Sequence, residues 1–315
     1  MLLMQILDNL NIRRVKIKFE VKEKIHFSAL FGAYLRNGFM FFSRQVLIGD
    51  GRSLYDVLDT VPIEKDNPLY RHLSGGFPKG FFFDISSNDA PYAKQRDYYL
   101  YPGVEYSFDL VLIGSMAGYE SHFMNALQML CDRGVGNPMG RLYISDIIKE
   151  DAAFSGFAGC QQDGTLELRV DFFTPVCLVK NLGAKSRNSF QDKMNGFPSF
   201  YQFVRSALYR LYTLNELYGD GGSMVEEDVN INDILDEYMA PACDAILSRA
   251  SLHKTTVYNT PKKGTSRIVE FTGYTGEMEF ENVNSLYYPL LKFAENFNVG
   301  NDIVYGLGSF KVALL

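Results

Sequence analysis

Residues Val15 to Val21 alternate in character: Val15, Ile17, Phe19 and Val21 fall on one face, Lys16, Lys18 and Glu20 on the other. That is the pattern of a half-buried strand. From Ser28 the spacing changes, and Leu30, Phe31, Tyr34 and Leu35 recur at helical intervals with Ser28 as the expected N-cap. Residues 49–97 are rich in Gly, Pro and Asp and read as an irregular insertion, although Phe81 to Phe83 look like core strand. Val104 to Ile113 is expected as a strand, Tyr119 to Cys131 as a helix and Arg141 to Ile148 as a strand. The order of the first half is that of a split βαβ unit.

The second half repeats this order. Thr165 to Val179 is a strand region, and Phe200 to Leu217 an amphipathic helix with Phe203, Val204, Ala207, Leu208, Leu211 and Leu214 on one face. Thr255 to Tyr258 and Ile268 to Phe280 read as strands, with a hairpin around Pro261 to Gly264. A helix over 286–297 and a strand from Ser309 to Leu315 close the unit. Both halves also share a local signature. One helix runs into Val135-Gly136-Asn137 and a strand; the other runs into Val299-Gly300-Asn301 and a strand. The echo suggests two related halves, and the glycine cluster over 150–164 marks the boundary between them.

The 315 residues suit two domains of ordinary size. No apolar run approaches the ~20 residues that span a bilayer, and no signal segment opens the chain. Cys131, Cys160, Cys177 and Cys243 are widely spaced, which fits a reduced cytoplasm and disfavours a structural zinc. The net charge of −6 argues against a nucleic-acid partner until its distribution is considered. Residues 220–237 hold seven acids and no base, and the remaining chain is balanced. Two stretches are locally basic: Lys180, Lys185, Arg187 and Lys193, and Lys254, Lys262, Lys263 and Arg267. Phosphate binding depends on such clusters rather than on net charge, though solvated loops carry them too.

The closing segment, Val299-Gly300-Asn301-Asp-Ile-Val-Tyr305-Gly306-Leu307-Gly308, supplies the strongest motif. With Ser199-Phe-Tyr-Gln-Phe-Val-Arg205, Leu30-Phe31-Gly32-Ala-Tyr-Leu35-Arg36 and Thr272-Gly-Tyr-Thr-Gly-Glu-Met-Glu-Phe280, it resembles the CRISPR repeat-processing endoribonuclease of the RAMP superfamily. The loop departs from the family where Asn301 stands in place of a frequent lysine. The resemblance implies an α+β fold: two tandem ferredoxin-like (RRM-like, RAMP) domains, 1–155 with the insertion at 49–97, and 156–315, with a central cleft beneath the glycine loop. It implies CRISPR repeat RNA as partner, a CRISPR effector complex as a further one, and cytoplasmic action without membrane, metal or cofactor. The implied reaction is attack of a ribose 2′-hydroxyl on the adjacent phosphate, leaving a 2′,3′-cyclic phosphate and a 5′-hydroxyl.

That step needs a base, an acid and a stabiliser of developing charge, and histidine suits the first two because it titrates near neutrality. Of four histidines, His26 lies between the first strand and first helix and is the favoured catalytic candidate, with His253 second. His72 has no motif support, and His122 reads as a partly buried structural residue. No histidine pair has the HExxH spacing of a metal hydrolase. Arg141, Lys254 and Lys311 are candidate phosphate contacts, and Gly300, Gly306 and Gly308 offer backbone N–H groups that can cradle phosphate or simply turn the chain. Tyr305 is the candidate base-stacking residue. Two other roles fit the same residues: a RAMP-type crRNA-binding subunit that does not cut, and an aromatic-rich α+β protein of unrelated role.

Overall fold

The structure, a computed structural model, describes residues 9–65, 67–73, 77–86, 98–151, 164–178, 197–220, 235–236, 238–258 and 270–315. The first half runs β1 (Ile12–Glu20), β2 (Ile25–Phe27), α1 (Phe31–Phe42), α2 (Leu54–Asp59), α3 (Pro68–Leu73), β3 (Phe81–Asp84), β4 (Tyr98–Leu100), β5 (Tyr106–Ile113), α4 (Glu120–Arg133) and β6 (Tyr143–Asp151). The second runs β7 (Thr165–Val176), α5 (Phe200–Tyr218), β8 (Ile246–Tyr258), β9 (Glu270–Asn284), α6 (Tyr287–Ala294) and β10 (Phe310–Leu314).

The first half forms an antiparallel sheet of order β3-β5-β1-β6, the second one of order β10-β7-β9-β8. Counted within each half, both orders are the fourth, first, third and second strands, read from opposite edges. The expected pair of tandem ferredoxin-like units is therefore present. A separate two-stranded ribbon pairs β2 with β4.

The alternation of β1 does what its sequence predicts. Val15, Ile17 and Phe19 are sealed in the core while Lys16 and Lys18 are half-buried on the other face. Phe39 of α1 and Phe123 of α4 stack at 5.2 Å beneath Phe81 and Phe83. In the second half Phe203 meets Phe172 and Phe310 edge-on at 5.5 and 5.0 Å. Each fully buried phenylalanine contributes about 1.5–3 kcal/mol.

Three expectations need correction. The insertion is not irregular throughout: it holds α2 and α3, and β3 within it is an edge strand of the first sheet. Helix α1 starts three residues beyond Ser28, with Leu30 at the N-cap, where its N–H donates to the carbonyl of Tyr258. Ser28 instead sits 3.2 Å from the Tyr34 hydroxyl. Strand β8 begins at Ile246, nine residues earlier than its apolar pattern suggested, because its exposed edge position needs few apolar side chains. The expected domain boundary, the acidic run over 221–234 and the hairpin tip over 259–269 lie outside the described residues.

Helix α5 is buried almost all round, as expected of a helix enclosed by other elements rather than a surface helix. Its C-terminal end packs against the first half. A Cβ at Gly114 would lie 1.8 Å from the Tyr218 carbonyl oxygen, and the Tyr218 hydroxyl donates to the Pro78 carbonyl at 3.1 Å. The two halves thus share one continuous apolar core.

Candidate functional site

The glycine loop between α6 and β10 is a folded joint between the halves. The Val299 N–H donates to the Gly308 carbonyl at 2.8 Å and pins the base of the loop. The Gly308 N–H donates to Pro175, the Gly306 N–H to Ile303, and the Asn301 N–H to Cys177. The buried Asn298 side chain donates to the Leu307 carbonyl. Gly306 and Gly308 are themselves buried, with positive φ. Gly308 passes so close to Val299 that a Cβ would sit 2.1 Å from its carbonyl oxygen, and Gly306 lies on Phe83 and Ile85 of the first half. The N–H groups of both glycines are therefore committed inside the protein. Gly300, half-exposed with φ +100°, is the glycine of the three that lines a crevice, although a Cβ on it would lie 2.8 Å from the Cys177 carbonyl oxygen.

Tyr305 ends the loop's short 3-10 turn. Its ring lies 5.0 Å from Phe271 and 5.3 Å from the Arg36 guanidinium, and its carbonyl oxygen would be 2.0 Å from a Cβ at Gly32. Glycine at position 32 is what lets α1 approach the loop. The sequence motif around Gly32 and the one around Tyr305 therefore meet in space.

The first glycine loop has the same construction. The Val135 N–H donates to the Gly140 carbonyl and the Gly140 N–H returns to Val135, each at 2.9 Å. The clasp from valine to the last glycine matches that of Val299 and Gly308, which gives the sequence echo a structural basis. This loop packs on β2, where the Asn137 N–H donates to the His26 carbonyl at 2.8 Å. The His26 imidazole is half-buried and stacks on Tyr99 of β4 at 4.8 Å. Lys24 lies 4.0 Å over the same Tyr99 ring. Arg141, just beyond the loop, is exposed. His26 thus sits among cations and aromatics beside a glycine loop, but beside the first one.

His253 and Lys254 are both exposed on the edge strand β8. As neighbours in a strand they project to opposite faces. Lys311 is exposed on β10, across from Asp171 and 6.0 Å from the Phe173 ring. His122 is half-buried on α4 next to Ser121 and Tyr119, as expected of a structural residue. The side chain of His72 and most of the two basic stretches lie outside what is described.

Between the halves lies a crevice of about 660 Å³, walled by the loop residues Gly300 to Tyr305, the segment Phe77 to Lys79, Arg36 of α1 and the α5 residues Ser206, Tyr209 and Arg210. This is the expected central cleft. Of the sequence-derived candidates it collects Gly300 and Tyr305; neither His26 nor His253 lines it. Of its cations, Arg36 closes the Leu30 to Arg36 motif but was not read as a site residue, and Lys79 and Arg210 were not singled out, since isolated basic residues in helices and turns carry no signal. Burial pulls the Lys79 pKa down, with Asp59 opposing and Arg36 adding to the depression. Among the described residues no group of three His, Cys, Asp or Glu side chains is placed to hold a metal ion, and no helix is long and apolar enough to cross a membrane.

Residues 170–310 match the family model described as CRISPR-associated endoribonuclease Cas6. No curated protein matches the chain. The fold is similar to that of a Thermus thermophilus Cas6 in its product complex, with TM-score 0.51 at 12% identity over 97% of this chain and 99% of that one. A second Cas6 product complex gives TM-score 0.50 at 12% identity over 96% and 99%. A chain of a partial Cas6-RT-Cas1–Cas2 complex gives TM-score 0.52 at 10% identity over 98% of this chain and 46% of that one. Residues 170–310 thus carry the sequence pattern of the Cas6 endoribonucleases and the whole chain carries their fold, which bears out the resemblance read from the sequence.

Proposed function

We propose that this protein is an endoribonuclease that cuts CRISPR precursor transcripts within their repeats to release guide RNAs. The observation that carries the reading is the Cas6 family match over residues 170–310, set within a fold that aligns with Cas6 product complexes along nearly the whole chain. Its partners are then repeat RNA and other CRISPR proteins, and its place is the cytoplasm. The step is metal-independent: a ribose 2′-hydroxyl attacks the neighbouring phosphorus, the 5′-oxygen leaves with a proton, and a 2′,3′-cyclic phosphate remains.

His26 is the proton-transfer group in this proposal. Its support is positional: a half-buried imidazole held by Tyr99, its backbone fixed by the first glycine loop, with Lys24 and Arg141 nearby in sequence or space to attract a phosphate. A well-placed general acid or base contributes about 10²–10⁴-fold. His253, Lys254 and Lys311 act as exposed contacts to the strand, Gly300 and Tyr305 touch it at the crevice, and Gly306 and Gly308 shape the loop from within. A crRNA-binding subunit that does not cut is the second reading. It is favoured by the lack of any histidine in the crevice lining among the described residues and by Asn301 in the loop.

The test is incubation of the protein with a labelled repeat RNA from its own locus, with EDTA present. A single cut, blocked by a 2′-deoxy nucleotide at the scissile position and reduced at least about a hundredfold by His26→Ala, is expected. Full activity in His26→Ala with loss in His253→Ala would transfer the role to His253. Tight binding without any cut would establish the non-cutting reading.

A further inference from the structure

The ribbon of β2 and β4 is amphipathic. Its register sets Ile25 opposite Leu100, His26 opposite Tyr99 and Phe27 opposite Tyr98, and Ile25, Phe27 and Leu100 are sealed in the core. Side chains alternate between the faces of a strand. The outer face therefore carries His26 and Tyr99, with Lys24 and Tyr101 just beyond the paired residues. These four side chains form a continuous layer. The His26 and Tyr99 rings stack at 4.8 Å, and the Tyr99 and Tyr101 rings lie 6.2 Å apart at 41°. The Lys24 ammonium stands 4.0 Å from the centre of the Tyr99 ring and 5.2 Å from that of Tyr101.

Cross-strand aromatic pairs stabilise a short ribbon, and the His26–Tyr99 pair accounts for itself in that way. Tyr101 does not: it lies past the last paired residue, and its side chain leaves the residue 49% exposed. Its position is fixed all the same, because its backbone N–H donates to the hydroxyl of the buried Tyr106 at 2.8 Å. The ribbon itself is seated on the first glycine loop, where a Cβ at Gly136 or Gly140 would lie 2.4 Å from side-chain carbons of Ile25. Beyond that loop, at the start of β6, the pairing of a lysine with a tyrosine recurs, with Lys22 4.4 Å over the Tyr143 ring.

A ring held by its backbone and a cation, yet open to solvent, has little freedom left to lose when a flat ligand covers it. Aromatic planes set among ammonium groups suit a nucleic-acid strand, whose bases stack and whose backbone is anionic. A base reaches such a ring only after leaving its own helical stack, so the matching ligand is an unpaired nucleotide.

We propose that the outer face of the β2–β4 ribbon is a stacking platform for an unpaired RNA base, with Tyr101 as the ring that receives it and Lys24 as the group that steadies the ring. The inference rests on the proposed RNA substrate and deepens it: the linkage presented to His26 lies in single-stranded rather than paired RNA, and Tyr101 is a substrate-positioning residue.

The experiment is titration of the whole chain with repeat RNA from its own locus, made uncleavable by 2′-deoxy nucleotides and carrying the fluorescent base 2-aminopurine at one unpaired position at a time. Quenching on binding is expected at one position. Tyr101→Ala should abolish that quenching and raise Kd about tenfold, while Tyr101→Phe, which keeps the ring, should preserve both. Should Tyr101→Ala lose its native circular dichroism, Tyr101→Leu, which keeps the apolar bulk without a flat ring, takes its place with the same expectation. A fully paired repeat RNA should bind the parent and the variant alike; an equal loss there would overturn the assignment to unpaired RNA. Parent-like affinity and quenching in the variant would overturn the platform and leave the RNA substrate standing. A parent protein that binds no RNA would overturn both.

Discussion

At Gly308 the backbone has φ +81° and the Val299 carbonyl oxygen would lie 2.1 Å from any added Cβ. A side chain there must break the clasp that closes the loop. Gly308→Val is therefore expected to destabilise the fold by at least about 2 kcal/mol, read as a lower urea midpoint. The sequence alone suggests that RNA binding would suffer more than folding; the buried geometry makes folding the first casualty. An unchanged midpoint would show that the loop can open without consequence. A second residue-scale test concerns Glu120, at the start of α4. Burial pushes its pKa up, but hydrogen bonds and charge from Lys149 and Arg13 outweigh that and bring it below the ordinary 4.5. The folded state thus holds this proton less tightly than the unfolded chain. The stabilisation is present above the ordinary pKa and is lost as pH falls through the lower folded value. Glu120→Gln should accordingly lose less stability than the parent chain between pH 5 and pH 3, values chosen to bracket about one unit either side of the carboxylate range. Parallel pH profiles would refute it.

At the scale of elements, α5 carries the most. Its Ser199-Phe-Tyr-Gln202 start is a capping box: the Ser199 hydroxyl accepts from the Gln202 N–H at 3.2 Å and the Ser199 N–H donates back to the Gln202 side chain at 3.3 Å. The motif that carries part of the family resemblance thus has a local physical job. Ser199→Ala should cost about 1 kcal/mol, measured by denaturant unfolding. Because α5 also carries Arg210 and the Tyr218 contact, fraying its first turn is expected to leave the crevice in place. A drop several times larger would mean that the cap also holds the interface.

The whole molecule behaves as two repeats joined by close backbone approach. The tightest joints are Gly32 against Tyr305 and Gly114 against Tyr218. With one apolar core running through both halves, unfolding should be a single transition by near-UV and far-UV circular dichroism alike. Gly32→Leu forces α1 away from the loop and is expected to split that transition in two. A single coincident transition in the variant would mean that the joints are incidental to cooperativity.

Strand β1, helix α5 and the two-fold order of elements were legible because each rests on local rules, alternation and helical spacing; capping was not, since the cap expected at Ser28 falls at Leu30 and the one at Ser199 emerges with the structure. The glycine echo was legible for the same reason, since Val135 and Val299 repeat one clasp at two places. Other features depended on which residues the folded chain brings together. Short apolar content hid the length of β8, and nothing local announced that His26 lies on the first glycine loop rather than the second. Arg36, Lys79 and Arg210 are distant in sequence and unremarkable in composition. Only the packing of α5 against the first half brings them to one crevice. The sequence by itself determined the elements, their repeat and the family likeness; the tertiary structure decided which charges share a cavity, because burial and pairing are properties of contacts rather than of spacing.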